Sequence, residues 1–219
     1  MPTDAPVAIA AVILSYLLGA VPFAFILGRL AGTDLRRVGS GNVGAGNLTR
    51  TVGVRYGVAA AVLDGLKGLV PVLVARRLGL GEGVAAASGV AAVVGHNWSI
   101  YLRSRSGRGL ATAVGVLVGL APSLLLWTGM WSVLGWWIGG GFAAFFGWAL
   151  LGPVSLLTGQ SQLVTAVAFS LALVVMIRRA QGNPGAPAGL QARLRRLVWD
   201  TDRPDVGVDE GAPEERAAT

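Results

Sequence analysis

The chain has 219 residues, 53% of them hydrophobic and only 13% charged, with 33 glycines, no cysteine, one histidine and a mean hydropathy of +0.63. Its apolar residues fall in long blocks between short polar clusters, which excludes most soluble domains and marks bilayer spans. The net charge of +7 is uneven: Asp200 to Thr219 holds seven acids and two arginines, so the body before it is strongly basic, and the missing cysteines exclude disulfides, thiolate metal sites and thioester intermediates.

Val7 to Leu30 is long enough to cross roughly 30 Å of hydrocarbon at about 1.5 Å per residue, and predicts a first span. No basic region precedes it, and the run is too long for the apolar core of a signal peptide. A polar stretch, Thr33 to Arg55, follows. Tyr56 to Val74 predicts a second span interrupted by Asp64 and Lys67, with Pro71 expected to kink or end the helix near them. Val84 to Ile100 predicts a third, with Arg76 and Arg77 snorkelling to the interface before it. An arginine cluster, Arg103, Arg105 and Arg108, then leads into the nearly uncharged stretch Leu110 to Ile177, which closes at Arg178 and Arg179.

Short loops rich in arginine stay cytoplasmic. Keeping the basic clusters on one side requires an even number of crossings between Leu110 and Ile177. Four short ones, broken near Gly129, at Gly139-Gly140-Gly141 and near Thr158-Gly159, bring the total to seven. The expected fold class is all-α: a polytopic membrane protein of about seven short helices, N-terminus outside and C-terminus cytoplasmic. Residues 1–180 form the membrane domain. Residues 181–219 form a cytoplasmic tail, basic and then acidic, largely disordered. Most glycines read as close helix packing.

The most informative segment is Val38 to Arg50. Glycines let the backbone adopt φ > 0 and turn several N–H groups into one concavity, Ser40, Asn42 and Asn47 add neutral donors, and Arg50 adds a bidentate charge, so a phosphate is the natural guest. A flexible connector needs Gly and Ser, but not two asparagines flanking a Gly-x-Gly with an arginine three residues on. Asp64 and Lys67, three apart, share one helix face and neutralise each other; an ionisable pair inside a span is expensive and points to function. His96, beside Trp98 at a span end, suits an interfacial hydrogen-bonder as well as a site residue. Arg105 to Gly109 repeats the logic of the first loop and leads into a helix N-terminus that favours anions. Two such loops on one side, with an ion pair between them, imply an enzyme or a transporter for a phosphorylated substrate. No nucleophile–base arrangement assembles, and no nucleic-acid motif is visible.

These segments resemble the bacterial acyl-phosphate:glycerol-3-phosphate acyltransferases of the PlsY type. Tyr16 to Ala24 leading to Gly28-Arg29 is similar to that family's first helix. Ser40 to Arg50 fits its Ser-Gly-Asn-x-Gly-Ala-Thr-Asn-x-x-Arg except at Gly46, and Leu63, Asp64, Lys67, Gly68 and Pro71 fit its Leu-Asp-x-x-Lys-Gly-x-x-Pro. A third motif is kept at Gly95, His96, Gly107, Gly109, Ala111 and Thr112, with Arg105 and Arg108 standing for lysines. Beyond it, the family's later serine falls on Ala143, and of its His-x-x-Asn only Asn183 is present.

The resemblance implies a seven-helix enzyme of phospholipid biosynthesis in the cell membrane. It would move a fatty acyl group from acyl phosphate to the 1-hydroxyl of glycerol 3-phosphate at the cytoplasmic face, forming lysophosphatidic acid. It implies no cofactor, no metal and no nucleic-acid partner; the partners are the two substrates and the bilayer. It assigns Ser40, Arg50, Lys67, His96 and Arg108 to catalysis, and Gly41, Asn42, Gly44, Asn47, Arg105, Gly107 and Gly109 to substrate phosphate. The missing later motifs leave two readings: an enzyme with a rebuilt acceptor site, or a non-catalytic relative that binds a phosphate ester or lipid.

Overall fold

The computed structural model describes residues 5–138, 140–183 and 185–199, without the side chains of Ser104, Arg105 and Trp136; the acidic stretch 200–219 lies outside the described residues. The helices are α1 (Ala5–Ala20), α2 (Phe23–Leu30), α3 (Ala45–Thr51), α4 (Val54–Arg77), α5 (Glu82–Asn97), α6 (Leu110–Leu120), α7 (Leu125–Ile138), α8 (Gly140–Ala149), α9 (Leu151–Leu157), α10 (Gln162–Gln181) and α11 (Leu190–Trp199). The all-α expectation meets one small departure. Between α5 and α6, β1 (Trp98–Ser99) and β2 (Ser104–Arg105) pair antiparallel, Trp98 opposite Arg105.

Ala5–Leu30, Val54–Arg77 and Gln162–Gln181 are long and apolar enough to cross a membrane, and α8 with α9, bent by 46°, would make a fourth span. Each such helix satisfies its own backbone, which lipid demands. Where a span is interrupted, side chains take over. Pro22 lacks an N–H and pushes Val21 out of the helical region, so α1 stops at Ala20. The carbonyls this frees are engaged by Ser99 Oγ, which donates to Ala20 O at 2.6 Å, and by Lys67 Nζ, which donates to Val21 O at 2.7 Å.

Of the two effects expected of Pro71, a kink or an end, the end does not occur, and the break expected near Gly129 lies elsewhere. α4 runs through Pro71 to Arg77, so the proline does not end it. Gly129 lies inside α7, and the break falls instead at Ala121, just before Pro122, because proline restricts the residue ahead of it more strongly than a lone glycine weakens a helix. The other two breaks lie where expected, at Ile138/Gly140 and between Leu157 and Gln162.

Close backbone approach binds the helices around α4 and α5. A Cβ on Gly19 or Gly95 would collide with the backbone of the facing helix of the α1/α5 pair, and a Cβ on Gly68 or Gly115 would do the same between α4 and α6. The main core, with Val72, Val93, Val116, Leu117, Leu151, Leu171 and Val175 all fully buried, joins α4, α5, α6, α9 and α10. A second, smaller core of Ala24, Leu35, Leu48 and Ala60 seats the polar stretch after α2 on α2 and α4. Arg76, expected to snorkel, pairs with Glu82 at 2.7 Å across the α4–α5 turn and donates to Gly119 O. The stretch expected to begin a disordered tail holds α11, packed on α8 and α10.

Candidate active site

The loop from Gly39 to Gly44 is built around Asn47 on the first turn of α3. Its side-chain oxygen accepts from Ser40 N at 3.1 Å, and its amide donates to Leu35 O at 3.2 Å and Val38 O at 3.1 Å. Asn47 is buried, with its side-chain oxygen and both amide protons engaged by the loop's own backbone. Gly41, at φ +70, supplies the left-handed turn that follows Ser40. Asn42 N lies 3.4 Å from Ser40 Oγ, and the buried Asn42 Oδ1 has no hydrogen-bond partner among the described residues. Arg50 is exposed, with its guanidinium over Gly46. At the loop's entrance, Asp34 accepts from the guanidinium and backbone N–H of Arg36, which hold its carboxyl well below the usual carboxylate range.

The second loop, Ser106 to Gly109, lies against the first. A Cβ on Gly44 would sit 4.0 Å from Gly107 Cα, and one on Gly107 would collide with His96 Nε2. Glycine at 44 and 107 thus serves close approach, since neither has a positive φ; Gly109, at φ +77, makes the turn into α6. Arg108 is buried, and the side chain of Arg105 lies outside the described residues. No side chain caps the N-terminus of α6 among the described residues, which leaves its first-turn N–H groups and the helix dipole facing the loop.

Beneath both loops lies the buried cluster of Asp64, Lys67 and His96. Lys67 Nζ is 2.8 Å from Asp64 Oδ1, the pairing expected from their spacing, and His96 Nδ1 stands 3.6 Å from the same oxygen. The imidazole wedges between this pair and Gly107, and Lys67 holds the α1 break. Lys67 thus ties the cluster to the α1 break, and His96 ties it to the second loop by contact.

The end of α10 departs from the sequence expectation. Arg178, taken as a cytoplasmic flank, is wholly buried and donates to Gly182 O at 2.8 Å, to Ser106 O and to Asn183 Oδ1 at 3.1 Å. The Asn183 amide in turn donates to Ser40 O at 3.0 Å. Arg178 and Asn183 thus clamp the two loops to each other. In the sequence, Asn183 stands out only as the remnant of the family's His-x-x-Asn, and Arg178 only as a cation closing an apolar run. A cavity of about 250 Å³ starts at Leu110 and Ala111, the first residues of α6, and runs between α6, α7 and α8 past Trp131, Ser132, Ala143 and Trp148. The two loops, the buried Asp64–Lys67–His96 cluster beneath them and the recess that opens at the start of α6 are thus neighbours.

Comparison with known proteins agrees with this chemistry. The profile of the family described as "Glycerol-3-phosphate acyltransferase" matches residues 9–184. A glycerol-3-phosphate acyltransferase of Geotalea daltonii is 47% identical over 115 residues, 52% of this chain and 59% of its own length. That of Rhizobium meliloti is 36% identical over 202 residues, covering 92% of this chain and 88% of the relative. The chain thus spans about three-fifths of the former relative and most of the latter. The crystal structure of PlsY, an integral membrane glycerol 3-phosphate acyltransferase in its glycerol 3-phosphate form, superposes with a TM-score of 0.74 at 34% identity, over 80% of this chain and 89% of that one.

Proposed function

Because the chain belongs to the glycerol-3-phosphate acyltransferase family, we propose that it transfers a fatty acyl group from acyl phosphate to the 1-hydroxyl of glycerol 3-phosphate, giving lysophosphatidic acid and phosphate. The observation that supports this reading is the clamp at the end of α10, which holds the Ser40 and Ser106 loops side by side.

In the transfer, the hydroxyl oxygen bonds to the acyl carbon, the bond from that carbon to the phosphate oxygen breaks, and the hydroxyl proton leaves with the released phosphate. The protein supplies proximity and a field, not a nucleophile. Arg50 and Arg108 balance the phosphate charges. Ser40, Asn42 and the first-turn N–H groups of α6 offer neutral donors to phosphate and to the developing oxyanion. Lys67 and His96 keep the floor of the cleft in place, and the cavity ahead of α6 receives the first carbons of the acyl chain.

The same reading assigns seven crossings to α1 with α2, α4, α5, α6, α7, α8 with α9, and α10. The N-terminus is then outside, and the arginine-rich ends with the cleft and residues 181–219 are cytoplasmic.

The test is phosphate release by the purified chain in lipid nanodiscs supplied with acyl phosphate and glycerol 3-phosphate. Release should require both substrates, and Arg50→Ala should lower it by about 10²-fold or more with an unchanged melting profile. A folded parent protein that binds labelled glycerol 3-phosphate yet releases nothing would be a binding protein and not an enzyme.

A further inference from the structure

Helix α11 is turned inside out relative to a helix packed on a water-soluble protein. Its arginine Arg196 is 3% exposed and points inward, donating to Pro187 O at 2.8 Å and to Ala180 O at 3.3 Å. Two of its three leucines point outward. Leu190 and Leu194, one turn apart on the same face, are 74% and 53% exposed. Arg193 and Arg195, also exposed, flank that apolar stripe on either side.

The protein holds the helix in this orientation. The wholly buried Arg179 donates to Leu197 O at 2.9 Å and Val198 O at 3.3 Å, the open carbonyl end of α11, and to Gly141 O at 2.8 Å on α8. Trp199 stacks on Phe142 with ring centroids 5.3 Å apart. A short link, residues 182–189, joins α11 to α10, a helix long and apolar enough to cross a bilayer. Such a tether keeps α11 at the level where α10 leaves the hydrocarbon. The region matched by the family profile ends at residue 184, so α11 lies past it.

An apolar stripe bordered by arginines, fixed at the end of a span, has the composition of an element that lies in a headgroup layer. The leucines enter the acyl boundary and the arginines meet anionic phosphates. We propose that α11 is an interfacial helix whose outward face docks on acidic lipid headgroups beside the mouth of the cleft. The arginines supply the charge complementarity that selects such a surface over a neutral one. The inference rests on the chain's place in a membrane and not on the acyl-transfer reading.

The chain has no cysteine, so Leu194→Cys in the full-length protein takes a single nitroxide label on the exposed face. In vesicles of phosphatidylcholine with about one-third phosphatidylglycerol, the label should be reached by dissolved oxygen and shielded from a water-soluble nickel chelate. Replacing phosphatidylglycerol with phosphatidylcholine, or adding Arg193→Gln with Arg195→Gln, should shift the inserted-to-exposed ratio by about thirtyfold toward exposure, about fivefold per arginine. An unchanged melting profile verifies the fold of each variant. A label accessible to the chelate in both lipid mixtures overturns the proposal, as does insertion that ignores lipid charge. A label released only when the seven acids of residues 200–219 are replaced by amides would put the chain's own tail on the arginines, and that too overturns it.

Discussion

The side-chain amide of Asn183 donates to the carbonyl of Ser40 at 3.0 Å, joining residues that lie 143 positions apart. The same asparagine accepts from Arg178, which also reaches Ser106 O, so one hydrogen-bonded chain runs from the first loop through the end of α10 to the second. The relative placement of the two loops is therefore a property of α10 and not of either loop alone.

Breaking that clamp should separate binding from folding. Arg178→Lys keeps a buried cation but loses the planar fork that serves three acceptors in different directions. The expected result is a folded protein whose KM for glycerol 3-phosphate rises about tenfold or more, with a loss of about 1.5–3 kcal/mol in stability. Steady-state kinetics with thermal unfolding in nanodiscs reads both. An unchanged KM would restrict Arg178 to a purely structural part.

Asn47 offers a test of loop architecture. Asn47→Ala removes three hydrogen bonds and leaves Ser40 N and two carbonyls to find other partners, at a cost of about 2–3 kcal/mol. Tryptic cleavage at the exposed Arg36 and Arg37 should accelerate well before global unfolding. Asn47→Asp should be worse, since it keeps the acceptor, loses both donors and places a negative charge beside a phosphate site. Cleavage as slow as in the parent would show the loop to be held by its apolar seat on Leu35 and Leu48.

Lys67 is predicted to act through its partners. Lys67→Met leaves the Asp64 carboxylate and the Val21 carbonyl uncompensated in a dry setting and should cost about 3–5 kcal/mol. Adding Asp64→Leu removes the stranded charge, so the double variant should recover much of that loss, a coupling that a double-mutant cycle measures directly. Turnover that stays low in a double variant of restored stability would show that the α1 break must be held for catalysis. Equal and additive losses would disprove the pairing.

Two glycines of opposite character should respond with opposite signs. A Cβ at Gly68 meets the Thr112 carbonyl, so Gly68→Ala must part α4 from the first turn of α6, just past the second loop, costing about 1–3 kcal/mol and lowering activity. A Cβ at Gly83 meets nothing within 4 Å, so Gly83→Ala should be neutral or add up to about 1 kcal/mol through helix propensity. Melting temperatures of the two variants decide the matter; a loss at both positions would point to a general intolerance of side chains instead.

Hydropathy and arginine placement made the long helices legible, and spacing alone revealed the Asp64–Lys67 pair, because both depend on local periodicity. The glycine-rich loop is legible as a positive-φ turn, yet the part of Asn47 within it is not: an amide engaged with its own loop and one aimed at a ligand have the same letter. Arg178 and Arg179 were hidden for a related reason. A cation at the end of an apolar run satisfies the positive-inside rule whether it faces water or is wholly buried, and only packing distinguishes the two. Ahead of α7, Pro122 sets the break, and Gly129 inside the helix does not. The ten residues of α11 were lost in a polar tail because a helix that turns arginine inward inverts the usual reading of amphipathicity.

Arg178 faces the two loops while Arg179, its immediate neighbour, faces α8 and α11. Each residue advances an α-helix by about 100° and 1.5 Å. Deleting one residue from α10 would therefore swing both guanidinium groups off their acceptors, and inserting a whole turn would restore their direction while carrying them about 5 Å too far. The length of this last long helix admits neither remedy, so substitutions along it are tolerable where insertions and deletions are not.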